Sequence, residues 1–115
     1  MSFKEGKANI EGDASTTITL NIPTGSRLLA VQLRVDAALA TGELWDAAFS
    51  GGSTTAIASG QAVAANTKVN LQIVDEITSN TTHIAITKNG GGSFTAQGAI
   101  RAIVYYHQIT AMGNA

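Results

Sequence analysis

The chain has 115 residues and a formal net charge of −1, the size of one domain with one core, since roughly two-thirds of the unfolded surface is buried at this length. It contains no cysteine, which excludes disulfides and Cys-ligated metal sites, and its pI of about 6.0 argues against a nucleic-acid binder, which carries a basic excess. No apolar run approaches the roughly 18 residues of a membrane span, and the opening Met-Ser-Phe-Lys-Glu-Gly lacks the apolar stretch of a signal peptide.

Residues 1–14 show little alternation and are expected to form an N-terminal arm ahead of a single domain over residues 15–115. Thr17 to Ile22 alternates cleanly, with Ile18, Leu20 and Ile22 on one face, the period-two signature of a half-buried strand. Pro23-Thr24-Gly25-Ser26 follows as a turn, because Pro fixes φ and Gly tolerates φ > 0. Leu29, Val31, Leu33 and Val35 alternate with polar or small residues and define the next strand. Ala37 to Gly42 is too short to stand as a helix and is expected to be a loop or a single turn.

Glu43 to Phe49 predicts a strand with Trp45, Ala47 and Phe49 on one side, and Ser50-Gly51-Gly52-Ser53 closes it. A short strand is expected around Ile57. Val69, Leu71 and Ile73 mark another, which the polar stretch Asp75 to Thr81 breaks. Ile84 and Ile86 mark a strand over His83 to Lys88. Asn89-Gly90 then signals a hairpin, since Asn-Gly favours the primed turns that match strand twist. The final strand is long, from about Gln97 to Ile109. Seven or eight short strands with frequent turn signals predict an all-β, antiparallel β-sandwich of jelly-roll type.

The last strand is apolar on both faces. Ile100, Ala102, Val104 and Tyr106 point one way; Ile103, Tyr105 and Ile109 point the other, beside Arg101 and His107. The outer face of an antiparallel sandwich is normally polar. Either the N-terminal arm or a loop covers this strand, or its second face is a subunit interface, where Tyr and Arg are enriched. The charged fraction of 13% falls well below the ~25–35% of a free monomer's surface and points the same way. Candidate interface residues are therefore Arg101, Ile103, Tyr105, His107 and Ile109, with Phe3 and Ile10 as apolar anchors of the arm.

Trp45 and Phe49 read as core anchors. The alternative for Trp45 is a glycan-stacking platform beside Asp46. His83 and His107 are the only histidines and are too few and too distant for a zinc site. No Gly-x-Ser-x-Gly elbow, His-Glu-x-x-His or P-loop occurs. The adjacent Asp75 and Glu76 face opposite ways on a strand and cannot flank one glycosidic bond. Gly90-Gly91-Gly92 precedes no helix and is a turn rather than a phosphate cradle. No enzyme and no cofactor is expected.

Three segments carry a resemblance. They are Ile22-Pro23-Thr24-Gly25-Ser26-Arg27-Leu28-Leu29-Ala30-Val31, then Thr41-Gly42-Glu43-Leu44-Trp45-Asp46-Ala47, and the closing Gly98-Ala99-Ile100-Arg101-Ala102-Ile103-Val104-Tyr105-Tyr106. Together they resemble small β-sandwich modules of tailed-bacteriophage virion proteins, which occur at the ends of tail fibres and as head decoration, or cement, proteins. The resemblance implies a structural role and brings no catalytic residue. A short chain opening on its own Met fits a decoration subunit better than a fibre tip, which is expected to follow a long shaft. Its implied partners are a second copy of itself, as dimer or trimer, and the major capsid protein. Its implied place is the virion surface, after synthesis in the host bacterial cytoplasm. The alternative is a tail-fibre or receptor-binding module that recognises host glycan through Trp45 and Asp46.

Overall fold

The computed structural model describes residues 2–11, 15–38, 43–51, 56–62, 64–94 and 97–108. Eight strands follow in chain order: β1 (Ser2–Glu11), β2 (Ser15–Ile22), β3 (Ser26–Ala37), β4 (Trp45–Gly51), β5 (Ala56–Gln61), β6 (Lys68–Ile77), β7 (Thr82–Lys88) and β8 (Gln97–Gln108). They form two antiparallel four-stranded sheets, ordered β1-β8-β3-β6 and β2-β7-β4-β5. Except at the β4–β5 hairpin, each strand leads into the opposite sheet. This is the double-sheet jelly roll expected from the alternation.

The alternating residues close one core. Ile18, Leu20 and Ile22 of β2 meet Val31, Leu33 and Val35 of β3, Trp45 and Phe49 of β4, Ile84 and Ile86 of β7, and Ile100, Ala102, Val104 and Tyr106 of β8. Burying a large apolar side chain stabilises by about 1.5–3 kcal/mol, so these residues fix the strand register. A one-residue slip would turn every one of them toward water.

Several expectations change in the structure. From Ser2 to Glu11 the segment expected as an arm is an edge strand, paired to β8 along its whole length. It lacks alternation because Lys4 and Gly6 occupy inward positions ahead of the buried Ala8 and Ile10. Gly6 sits where β1 passes over β2: a Cβ there would lie 3.0 Å from Ile18 Cγ2 and 3.1 Å from the Thr19 carbonyl oxygen. In β3 a bulge between Leu28 and Ala30 shifts the register against both neighbours. The buried residue at that end is therefore Leu28, and Leu29 is half-exposed. β6 continues through Asp75 to Ile77. Finally, Asn89-Gly90 does not make a hairpin, because β7 and β8 lie in different sheets. Gly90, Gly91 and Gly92 all take positive φ, and the connection carries Phe94 into the core.

The turn after β2 is tied across the molecule. Thr78, just past β6, donates its hydroxyl to the Pro23 carbonyl at 2.8 Å and accepts the Ser26 N–H at 3.0 Å. Backbone bonds between Gly25 and Thr78, and between Thr78 and Ser26, complete the clasp.

Candidate docking face on the first sheet

The strand order places β8 between β1 and β3. Its inward residues fill the core, and its other face looks away from the second sheet. Three neighbouring strands set their outward residues level with it. Tyr105 lies opposite Phe3 and Ala30, Ile103 opposite Glu5 and Gln32, and Arg101 opposite Lys7 and Arg34. On the far side of β3, Gln32 pairs with Asn70 and Arg34 with Lys68.

The upper part of this face is apolar and open. Phe3 is 62% exposed, and its ring centroid lies 6.2 Å from that of Tyr105 in a tilted arrangement, a separation at which aromatic pairs attract. Ile103 and Tyr105 are half-exposed. Among the described residues no strand covers them, because β1 pairs beside β8 rather than lying across it. Of the explanations for the two-sided strand, which were cover by the N-terminal arm or a loop and a subunit interface, cover by the described N-terminal residues 2–11 is thereby removed.

The lower part is charged. Asp36 holds both arginines of the middle strands: Arg34 Nε–H donates to Oδ1 at 2.8 Å and Arg101 Nε–H to Oδ2 at 2.9 Å. Its partial burial raises the carboxyl pKa, but the bonds from Arg101 and Arg34 outweigh that and hold it below the usual carboxylate value. Arg101 also approaches Glu5, at 3.9 Å. Between these groups lies an open depression of about 390 Å³, lined by Glu5, Gln32, Arg34, Lys68, Asn70, Arg101 and Ile103.

The structure distributes the sequence-derived candidates unevenly. Phe3, Arg101, Ile103 and Tyr105 converge on this face, and His107 is exposed at its end, opposite Arg27. Ile109 lies outside the described residues. Ile10 is a correction: it is fully buried in the core, because β1 turns its even-numbered residues inward. Trp45 is the core anchor expected of it, and its glycan-stacking alternative is the second correction. It is 0% exposed, and its indole N–H donates to the Ala62 carbonyl at 2.8 Å. Asp46 Oδ1 accepts bonds from the Gly60 N–H at 2.8 Å and the Asn89 side chain at 2.9 Å. The pair offered for glycan stacking is thus a core anchor and an internal brace. The basic residues Lys7, Arg34 and Lys68 and the clamp Asp36 were not among the candidates. Only the strand pairing, which no local pattern reveals, brings them beside Arg101.

The histidines stand on different sheets. His83, on β7, accepts the N–H groups of Leu20 and Asn21 through Nδ1, each at 3.2 Å. Among the described residues no group of three His, Cys, Asp or Glu side chains is placed to hold a metal. Among the described residues no helix is long and apolar enough to cross a membrane.

No protein-family model matches the chain, and no curated protein sequence matches it. Solved structures do. The capsid asymmetric unit of cyanophage Pam1 contains a chain with TM-score 0.66 and 19% identity, over 94% of this chain and 84% of that one. The crystal structure of FLHE matches with TM-score 0.54 and 9% identity, over 94% and 97%. The subviral particle of infectious bursal disease virus VP2 matches with TM-score 0.53 and 16% identity. There the likeness covers 91% of this chain and only 30% of VP2. At these identities the likeness is one of fold.

Proposed function

We propose that the chain is a structural protein of a phage virion: a head decoration, or cement, protein that assembles with copies of itself and binds the outer capsid. The observation that carries this is the face of the first sheet where Phe3, Ile103 and Tyr105 form an apolar patch that no strand among the described residues covers. A patch of this kind beside polar groups is the signature of a protein–protein surface. The jelly-roll fold shared with the cyanophage Pam1 and VP2 chains supports a virion role. FLHE shares the fold as well, so the face, rather than the fold, bears the weight.

In this proposal Phe3, Ile103 and Tyr105 form the seam between copies in a homodimer or homotrimer. The oligomer then engages several capsomers at once. Multivalency makes many modest contacts act together through effective concentration. The major capsid protein is the partner and the virion surface the location. No chemistry is assigned to the chain.

The test is co-sedimentation of the full chain with undecorated phage heads, with its free mass recorded by light scattering. Saturable binding by a dimer or trimer is expected. A monomer that stays in the supernatant at every concentration would overturn the proposal.

A further inference from the structure

The pairing of the first sheet sets four cations level with one another. Lys7 of β1 lies opposite Arg101 of β8, Arg101 opposite Arg34 of β3, and Arg34 opposite Lys68 of β6. Adjacent strands are about 4.8 Å apart, so the row crosses the sheet over about 14 Å. Like charges directly opposite one another are destabilising, and among the described residues the fold offsets this at the centre, where Asp36 bridges Arg34 and Arg101 and Glu5 approaches Arg101. Among the described residues, Lys7 and Lys68 at the two ends form no ion pair.

The two arginines are held in place. Asp36 takes the Nε–H of each, which fixes both guanidinium groups and leaves terminal N–H donors at the depression that they line. Guanidinium groups fixed in this way recognise carboxylates with little further ordering cost. Five of the chain's seven Lys and Arg residues project from this face, counting Arg27 near its end. Its acids, among the described side chains, are Glu5 and Asp36. Among the described side chains, this face therefore carries more cations than carboxylates, on a chain whose net charge is −1.

We infer that the row Lys7–Arg101–Arg34–Lys68 is a docking site for an acidic protein segment, whose Asp or Glu carboxylates enter the depression between Arg34 and Arg101. This rests on the proposed virion role in one respect only: the segment would belong to the capsid surface. A nucleic-acid backbone is the weaker fit. A phosphate backbone needs a continuous basic track, and here Asp36 and Glu5 interrupt the row. An acidic segment needs only the single depression between Arg34 and Arg101.

The test is a titration of the isotopically labelled full chain with poly-L-glutamate, followed by backbone amide NMR, with oligothymidylate as the comparison probe. Saturable shifts are expected at residues 5–7, 32–36, 68–70 and 101–103, weakening as salt rises from about 0.05 M to about 0.3 M. The double variant Lys7→Gln/Lys68→Gln removes the two unpaired cations without touching the clamp, so folding is retained. It is expected to weaken binding about tenfold. Absence of shifts in that region, an unchanged affinity in the double variant, or tighter binding of oligothymidylate would overturn the inference. Head binding separates the two proposals. Poly-L-glutamate binding without head binding leaves the site standing and removes the virion role. Head binding that Lys7→Gln/Lys68→Gln does not weaken removes the site and leaves the role.

Discussion

Arg101 donates its Nε–H to Oδ2 of Asp36 at 2.9 Å, joining residues 65 positions apart in sequence. The bond ties the centre of β8 to the end of β3 and, through the second carboxylate oxygen, positions Arg34 as well. Asp36 is mostly shielded, with 17% of its side chain exposed, whereas the arginines are 35% and 47% exposed. Solvent screening therefore keeps the energy small, and Asp36→Asn is expected to cost about 1 kcal/mol. The sign with pH follows from the lowered carboxyl pKa. The stabilisation is fully present above the unfolded value of about 3.9 and is lost as pH falls through the lower folded value. Urea unfolding of wild type and Asp36→Asn is expected to show a constant gap above about pH 5 that closes in stronger acid.

Phe3 and Tyr105 make the apolar end of the face. Replacing both with Lys adds charge to a surface that the fold already exposes, so the variant is expected to fold with a near-native circular dichroism spectrum. Light scattering is expected to give a monomer for Phe3→Lys/Tyr105→Lys and an oligomer for the unaltered chain. An oligomer unchanged by the substitution would place the seam elsewhere.

Gly51 ends β4 at φ 91°, and a Cβ there would run into the Thr81 carbonyl oxygen. Gly25 has a similar φ of 79° with nothing within 4 Å of a Cβ. Gly25→Ala is expected to cost about 1–2 kcal/mol, the left-handed penalty alone. Gly51→Ala carries the same penalty plus a backbone clash and is expected to cost about 3 kcal/mol or more. Thermal unfolding of the two variants reads the difference directly.

His83 caps an irregular stretch of β2. The register against β7 shifts between Ile18 and Ile22, and Asn21 takes φ 56°. Two N–H groups that leave the ladder there are received by His83 Nδ1. His83→Ala leaves them without that acceptor and is expected to cost about 1–2 kcal/mol. His83→Asn keeps a side-chain oxygen near the same place and is expected to recover part of the loss. Equal stability of all three proteins would show that water replaces the imidazole.

The sandwich was legible because Ile18, Leu20 and Ile22, or Val31, Leu33 and Val35, bury one face and leave the other to water, and period two follows from that. β1 was not legible, because an edge strand with Gly6 and Lys4 at inward positions lacks the apolar rhythm. Asn89-Gly90 misled for a different reason: the local turn chemistry is present, but β8 is recruited by β1 and β3 rather than by β7. Half of the candidate face was visible in the two-sided pattern of Ile103 and Tyr105. The basic row was not, since Lys7, Arg34, Lys68 and Arg101 are distant in sequence and meet only through register.

The most direct measurement uses the absence of cysteine from the chain. Single thiols introduced by Asn70→Cys on the first sheet and Thr17→Cys on the second both start from exposed positions. Maleimide reactivity is then followed as each variant saturates undecorated phage heads. Asn70→Cys is expected to become protected on the heads while Thr17→Cys continues to react. Protection at Thr17→Cys alone, or undiminished reaction at both sites in head-bound protein, would contradict it.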